Sequence, residues 1–365
     1  MTYPEAMVVG FIQGVTELFP VSSLGHSVLI PALVGGSWAR DLSVATPTSP
    51  YLAFVVGLHV ATALGIAAYF WRDWVRIIKA WFVSIVHGNV RTPDERLAWM
   101  LVFATIPVGI AGLAFEHEFR VLFGKPVRAA VFLVINGLIL YAGERFRTRK
   151  SLQADAELER QRTAAARARR RPAAAPAAAL STQPEVASAG AAAAANLAVQ
   201  GAGPGIVARY EAAEPGGSGQ PSARRHEEVA AAVQADLRLS QMGYVQAVII
   251  GAAQVLALLA GISRDGVTMV AGMFRGLSRE DAARFAFLLA TPVILAAGVL
   301  KLPDLTGPLG QGIHGQILAG SLLSGVGAYI SVRFLMRYFR TRTLTPFAIY
   351  CVLFGLFCIV YLELG

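Results

Sequence analysis

The sequence predicts an all-α polytopic membrane protein. Of its 365 residues, 55% are hydrophobic and only 15% are charged, and the mean hydropathy is +0.54. Soluble domains carry about 25% charged residues, so this composition excludes a water-soluble enzyme. Several apolar runs are long enough to cross about 30 Å of hydrocarbon. We expect six transmembrane helices, at residues 51–70, 97–115, 127–144, 285–302, 315–333 and 346–362.

The net charge of +9 does not indicate a nucleic-acid partner. The basic residues lie at the ends of apolar runs, where they set orientation in a membrane. Segments rich in Lys and Arg alternate with segments that have few, as six crossings require, so we expect the basic set on the cytoplasmic side. The two cysteines, Cys351 and Cys358, share one face of the last run, which excludes a disulfide scaffold.

Two further apolar regions, residues 4–34 and 243–274, contain polar residues, Gly and Pro at their centres. Irregular backbone at membrane depth is tolerated only where it is buried in protein or lines a wet cavity. We therefore expect two re-entrant helical hairpins, the first entering from outside and the second from inside. Residues 145–240 differ in composition, being rich in Ala, Arg, Pro and Gly. We expect a mostly disordered cytoplasmic insertion there, with a helical stretch near 152–170.

The two broken regions match each other at a constant offset of 241, which indicates an internal repeat. The matched pairs are Gly10 with Gly251, Gln13 with Gln254, Ser22 with Ser263, Gly25 with Gly266 and Ser27 with Thr268. Three crossings follow each hairpin, and an odd number inverts the second half relative to the first. The predicted repeats are residues 1–144 and 241–365. Inverted repeats with broken helices place a site near the midplane, where the two hairpin tips are expected to meet.

The tips carry ionisable residues that are costly inside a membrane. Glu17, Arg264 and Asp265 each cost at least ~2.5–3.5 kcal/mol there unless they pair or line water, so together they indicate a site. Arg264 is a permanently charged fork of N–H donors that suits a phosphate. Glu17 could hold a divalent cation that bridges phosphate oxygens, and Gln13, one turn earlier, shares its helix face.

Nucleophiles and an acid/base group lie next to these charges. The hydroxyl groups of Ser22 and Ser23 can act as nucleophiles or can donate hydrogen bonds to a phosphate. His26 can exchange protons near neutral pH. Anion binding, a metal acceptor, a nucleophile and an acid/base are what cleavage of a phosphoester or phosphoanhydride requires.

The residues around both tips resemble the undecaprenyl-pyrophosphate phosphatases, also called bacitracin-resistance proteins. The first family motif, Glu/Gln-x-x-x-Glu followed by Pro-Val-Ser-Ser-x-Gly-His, matches residues 13–26. The second, Pro-Gly-x-Ser-Arg-Ser-Gly-x-Thr, matches residues 260–268, with Ala260 in place of Pro and Asp265 in place of Ser. The resemblance covers both membrane halves and skips only the insertion.

The resemblance implies hydrolysis of undecaprenyl diphosphate to undecaprenyl phosphate and inorganic phosphate, which recycles the lipid carrier of cell-wall synthesis and confers bacitracin resistance. It implies a Mg²⁺ or Ca²⁺ ion and a site open to the outer side of the bacterial cytoplasmic membrane. By position, the resemblance implies catalytic roles for Glu17, Ser23, His26 and Arg264, and phosphate-binding roles for Ser22, Ser263, Arg264 and Thr268. The candidate metal ligands come from the residues themselves and are Glu17, Gln13 and Asp265.

The sequence leaves several alternatives open. Ser23, His26 or water can be the nucleophile, and Asp265 can either weaken the Arg264 clamp or add a metal ligand. A polyprenyl-phosphate transporter or flippase would use the same midplane site but needs no nucleophile. A phosphatidic-acid-type phosphatase would need a second histidine after Arg264, and none follows within about twenty residues. The expected partners are the polyprenyl lipid substrate and membrane lipids, and no nucleic acid is expected. The sequence does not decide whether the protein forms a homodimer.

Overall fold

The computed structural model of the chain describes residues 1–42, 50–123, 125–170, 234–301, 307 and 312–364. All regular secondary structure in these ranges is helical. The chain divides into two units, one of residues 1–151 with 238–365 and the other of residues 152–237. Among the described residues, five helices are long and apolar enough to span a membrane, and the number is seven if each of two bent helix pairs is one span. The protein is an all-helical, multi-pass membrane protein.

In the described residues up to Arg170, the helices are α1 (Tyr3–Thr16), α2 (Ser23–Val34), α3 (Gly36–Asp41), α4 (Pro50–Tyr69), α5 (Trp71–His87), α6 (Pro93–Phe123) and α7 (Pro126–Arg170). After residue 240 the order is α8 (Tyr244–Ala252), a 3-10 helix (Ala253–Leu258), α9 (Arg264–Phe274), α10 (Arg279–Leu300), α11 (His314–Thr341) and α12 (Thr345–Leu364). The six predicted transmembrane runs coincide with α4, α6, α7, α10, α11 and α12. The two broken regions are each a helix, a break and a second helix.

The run at residues 51–70 ends where the sequence predicts, whereas other described helices continue beyond the predicted runs: α6 covers Pro93–Phe123, α10 begins at Arg279 and α11 continues to Thr341. The run at residues 51–70 ends at a bend of 88°, after which the chain continues as α5. The last helix of the predicted first repeat does not stop at residue 144, since α7 continues to Arg170. The charged sequence after residue 144 favours a helix as much as the apolar run does. The predicted insertion is therefore helical over residues 145–170, and residues 171–233 lie outside the described ranges.

Small residues join the first part of the chain to α11. A Cβ atom built at Gly10 would lie 2.3 Å from the carbonyl oxygen of Gly320, and one at Gly14 would lie 2.3 Å from that of Ser324. Helices inside a membrane associate through such close contacts between small residues. The contacts fix α1, and with it the first break, against α11.

The N-terminal end of α10 is the second anchor of the fold. Its four charged residues form ion pairs with four other elements: Arg279 with Glu144, Glu280 with Arg340, Asp281 with Arg238 and Arg284 with Asp73. Ser278 caps the helix, since its side chain accepts a hydrogen bond from the Asp281 N–H. The buried Glu144 carboxylate also accepts a hydrogen bond from the Leu344 N–H. These bonds fix the N-terminal end of α10 against α5, α7, α11 and the segment that carries Arg238.

Candidate active site

The two breaks end in the same kind of serine side-chain cap. Ser22 is the N-cap of α2, and its side chain accepts a hydrogen bond of 3.2 Å from the Gly25 N–H. Ser263 is the N-cap of α9, and its side chain accepts a bond of 3.1 Å from the Gly266 N–H. The residues of the two caps are related by the repeat offset of 241. Each cap begins a helix whose N-terminal N–H groups face away from the helix body, an arrangement that attracts anions.

The two tips are in direct contact. The Ser22 hydroxyl also accepts a hydrogen bond of 3.2 Å from the Gly261 N–H, so one oxygen bridges both tips. A Cβ atom at Gly25 would lie 3.0 Å from the Gly261 Cα, which means that the two backbones touch. Ser22 has a φ of +68°, the only positive φ of a non-glycine residue in the described ranges. Such backbone strain persists where surrounding bonds hold the residue in place, as they do here.

Glu17 is the centre of the polar cluster between the tips. Its Oε2 accepts a 2.6 Å hydrogen bond from Gln13 Nε2 and a short one from the Ser23 hydroxyl, and it lies 3.5 Å from His59 Nε2. Its Oε1 accepts a 3.0 Å bond from Arg264 Nη2 of the second tip. The carboxylate is almost fully buried. Its negative charge is therefore stabilised by donors from both halves of the chain.

Arg264 lies between two carboxylates. Besides its bond to Glu17, its Nε lies 3.5 Å from Asp265 Oδ1. The other oxygen of Asp265, Oδ2, is buried and has no hydrogen-bond partner in the described part of the chain. Arg264 faces the cavity described below, whereas Asp265 does not. Asp265 thus places a second carboxyl group beside the guanidinium group, on the side away from the cavity.

His26 is close to the tips but points away from Glu17. Its Nδ1 lies 2.7 Å from the Ser22 carbonyl oxygen, and its Nε2 lies 2.7 Å from the Tyr350 hydroxyl. The ring stacks on Tyr350 and on Phe354 of α12. A neutral ring with its proton on Nδ1 satisfies both contacts, since the tyrosine hydroxyl then donates to Nε2. The histidine supports the strained Ser22 rather than facing Ser23.

A cavity of about 280 Å³ lies beside this cluster. Five of the sequence-predicted site residues line it: Glu17, Ser22, Ser23, Ser263 and Arg264. The other four, Gln13, His26, Asp265 and Thr268, are buried around it without lining it. Thr268 donates its hydroxyl hydrogen to the Arg264 carbonyl oxygen one turn earlier, at 2.7 Å. Most of the remaining wall is apolar and comes from α2, α4, α6, the 3-10 helix, the second break and α10.

Three polar residues that line the cavity were not predicted as site residues. They are His59 of α4, Gln254 of the 3-10 helix and Lys301 at the end of α10. The sequence holds a signal for two of them: an ionisable residue in the middle of an apolar run, as His59 is, indicates function, and Gln254 is the repeat partner of Gln13. Lys301 ends an apolar run as many interfacial lysines do, so no pattern in the sequence distinguishes it.

The cluster offers oxygen atoms that suit a divalent cation. The described residues contain no group of three or more His, Cys, Asp and Glu side chains arranged to hold a metal ion. However, Gln13 Oε1 and Asp265 Oδ2 are both buried acceptors without a hydrogen-bond partner among the described residues, and both residues adjoin the Glu17–Arg264 pair. Hard cations take such oxygen ligands and complete their shell with water or phosphate oxygens. The residues present therefore fit Mg²⁺ or Ca²⁺.

Comparison with known proteins identifies the family. The family model described as bacitracin resistance protein BacA matches residues 6–167 and 219–357. An undecaprenyl-diphosphatase of Mycolicibacterium paratuberculosis is 52% identical, over 100% of this chain and 98% of the relative. An undecaprenyl-diphosphatase 2 of Frankia alni is 51% identical over 99% and 98%, and one of Chromobacterium violaceum is 34% identical over 96% and 95%. The chain belongs to the BacA bacitracin-resistance family.

Proposed function

We propose that this protein hydrolyses undecaprenyl diphosphate to undecaprenyl phosphate and inorganic phosphate, and so recycles the lipid carrier of peptidoglycan synthesis. The observation that carries the proposal is the Glu17–Arg264 pair, which joins the two tips at 3.0 Å beside a cavity with an apolar wall. At the polar end of the cavity, the Arg264 guanidinium group, two helix N-termini and serine hydroxyl groups suit a diphosphate. The apolar wall of the cavity suits a lipid chain. The names of relatives with 50% or more identity support the same activity.

Arg264 binds the diphosphate in this proposal. Its bonds to Glu17 and Asp265 occupy Nη2 and Nε, and Nη1 hydrogen-bonds to no described residue. Guanidinium groups bind phosphate oxygens with charge-assisted hydrogen bonds. The Ser263 hydroxyl and the first N–H groups of α9 lie next to it and add donors. Thr268 holds the Arg264 carbonyl oxygen and so keeps this turn in place.

Ser23 is the nucleophile that the geometry favours. Its hydroxyl lines the cavity and donates a short hydrogen bond to Glu17. When Glu17 takes that proton, the Ser23 oxygen attacks the terminal phosphorus and the bridging P–O bond breaks, with undecaprenyl phosphate as the leaving group. Water then attacks the phosphoserine, which releases inorganic phosphate and restores the hydroxyl. His26 keeps the Ser22 carbonyl, and therefore the turn that presents Ser23, in its strained conformation.

A divalent cation belongs to the proposed site. Glu17, Gln13 and Asp265 would hold it, and Asp265 then adds a ligand rather than only weakening the arginine. Bound Mg²⁺ or Ca²⁺ would neutralise phosphate charge and so make the phosphorus easier to attack. The residues of the chain perform the remaining tasks of binding, orientation and proton transfer.

The membrane arrangement extends the proposal. Residues 1–144 and 241–365 form two inverted repeats, each with one re-entrant hairpin and three transmembrane helices, six in total. The matching N-caps at Ser22 and Ser263 support the repeat, and the Lys- and Arg-rich ends support a cytoplasmic insertion at 145–240. The protein lies in the bacterial cytoplasmic membrane with its site open to the outer side. A homodimer is compatible with this arrangement but is not needed to complete the site.

Phosphate release from undecaprenyl diphosphate tests the function. Purified protein in detergent is compared with Arg264→Ala and Ser23→Ala, with and without EDTA. Gly109→Ala is the matched control, because a Cβ at Gly109 meets nothing within 4 Å. We expect metal-dependent release by the wild type and the control, and at least ~100-fold slower release by both site variants.

Each outcome separates one part of the proposal. If the folded wild-type protein releases no phosphate, the diphosphatase activity is contradicted and the flippase alternative is favoured. An active Ser23→Ala variant would contradict only the assignment of the nucleophile. Release that EDTA leaves unchanged would contradict only the cation.

A further inference from the structure

Asn136 is a polar residue in the middle of a membrane-spanning helix. It lies in α7, within the apolar run at residues 127–144, and it is completely buried. A polar side chain at this depth is costly unless its donors and acceptors are satisfied by protein groups. Its position between Ile135 and Gly137 carries no sequence motif, and the proposed chemistry does not use it.

The Asn136 amide connects the two tips through backbone groups. Its Nδ2 donates a 3.0 Å hydrogen bond to the Pro20 carbonyl oxygen in the first break. Its Oδ1 accepts a 3.0 Å hydrogen bond from the Ser263 N–H in the second break. Nδ2 also lies 3.4 Å from Cys351 Sγ of α12. Both backbone groups belong to residues outside the helices, so no helical bond can satisfy them.

The two bonded groups lie next to the residues that form the site. Ser263 directly precedes Arg264, and Pro20 lies between Glu17 and Ser23 in the first break. A shift of either tip along α7 would change the 3.0 Å contact between Glu17 Oε1 and Arg264 Nη2. The Ser22–Gly261 bond links the tips only to each other. Asn136 therefore ties both tips to a fixed, fully spanning element.

We propose that Asn136 is a positioning residue for the diphosphatase reaction, which sets the distance between the Glu17 carboxylate and the Arg264 guanidinium group. It touches no reacting atom and acts through the Pro20 and Ser263 backbone. An amide meets this task because it offers a donor and an acceptor on opposite sides of one planar group. This inference rests on the proposed function, because the assay that tests it measures phosphate release.

Asn136→Leu removes both hydrogen-bonding groups and keeps the side chain at a similar size. Its control is Thr62→Val, which removes a different buried bond, the 2.8 Å contact between the Thr62 and Ser324 hydroxyls of α4 and α11. For both variants kcat and KM are measured per folded molecule, with the folded fraction taken from size-exclusion profiles and thermal unfolding. We expect kcat to fall at least 10-fold in Asn136→Leu, with a smaller change in KM, and to stay within twofold of wild type in Thr62→Val.

A merely structural asparagine gives a different result. It would lower the thermal unfolding temperature of Asn136→Leu while leaving kcat and KM per folded molecule within twofold of wild type, and that result overturns the inference. If the leucine variant does not fold, Asn136→Ser takes its place, because the shorter hydroxyl cannot reach both tips, and the same criterion applies. A wild type and a Thr62→Val variant that both release phosphate show that the function holds even when the inference fails.

Discussion

Gly261→Ala tests whether the close contact between the tips produces the site. Gly261 has a φ of +110°, which an L-residue adopts at a cost of about 1–2 kcal/mol. A Cβ there would lie 2.3 Å from the Ala129 carbonyl oxygen and 2.8 Å from the Leu133 nitrogen, both backbone atoms of α7 that cannot rotate away. Overpacking of this kind costs about 1–3 kcal/mol, so we expect a loss of about 2–5 kcal/mol in the free energy of unfolding.

The same substitution should also reduce activity in the molecules that remain folded. To relieve the clash, the second tip must move away from α7, and the Gly261 N–H then leaves the Ser22 hydroxyl that it now contacts at 3.2 Å. Arg264, three residues later, moves with it. Loss of one preorganised hydrogen-bond donor slows a reaction by about 100- to 1,000-fold, so we expect phosphate release to fall at least 100-fold per folded molecule.

The assay combines phosphate release with thermal unfolding in detergent. Gly109→Ala, the same change at a helical glycine whose Cβ meets nothing within 4 Å, should keep wild-type activity and unfold at the same or a higher temperature. A Gly261→Ala protein that is folded and releases phosphate within twofold of the wild-type rate would refute the reasoning.

Three further predictions concern Ser22, Asp265 and Glu144. Ser22→Ala removes the acceptor for two backbone N–H groups, so unfolding should become easier by about 1–3 kcal/mol, as measured by thermal unfolding; an unchanged transition would contradict it. Asp265→Ser should raise the Mg²⁺ concentration needed for half-maximal phosphate release, and a metal titration that matches the wild type would rule out the ligand role. Glu144→Gln should destabilise the fold by about 3–5 kcal/mol, because Arg279 loses its buried partner, while the rate per folded molecule stays near wild type; a large fall in that rate would place Glu144 in the catalytic machinery.

The sequence predicted the helices and the meeting of the tips better than the direction of individual side chains. Apolar runs identify spanning helices because the membrane requires them, and each of the six predicted runs overlaps a described helix. The repeat offset pairs Ser22 with Ser263, and each of these serines caps a helix by accepting a hydrogen bond from the N–H three residues later. Such patterns are local and survive in a single sequence.

Contacts between segments that are distant in the sequence leave no such local pattern. His26 lies only three residues after Ser23, yet its ring does not face the cavity. The ring contacts the hydroxyl of Tyr350 instead, more than three hundred residues later in the chain. His59 and Lys301 face the cavity only because α4 and α10 pack beside the tips. No local breaker gives the angle of the 88° bend after α4, because residues 66–74 include neither Pro nor Gly.

The identity of the products tests the central claim most directly. Undecaprenyl diphosphate is incubated with the purified wild-type protein and Mg²⁺, and the reaction is followed by phosphorus NMR beside Arg264→Ala. We predict that the two coupled diphosphate signals disappear and that two uncoupled monophosphate signals replace them, one from undecaprenyl phosphate and one from inorganic phosphate, with no change in the variant. Persistence of the diphosphate signals with folded wild-type protein, or release of intact pyrophosphate from the lipid, would contradict the account.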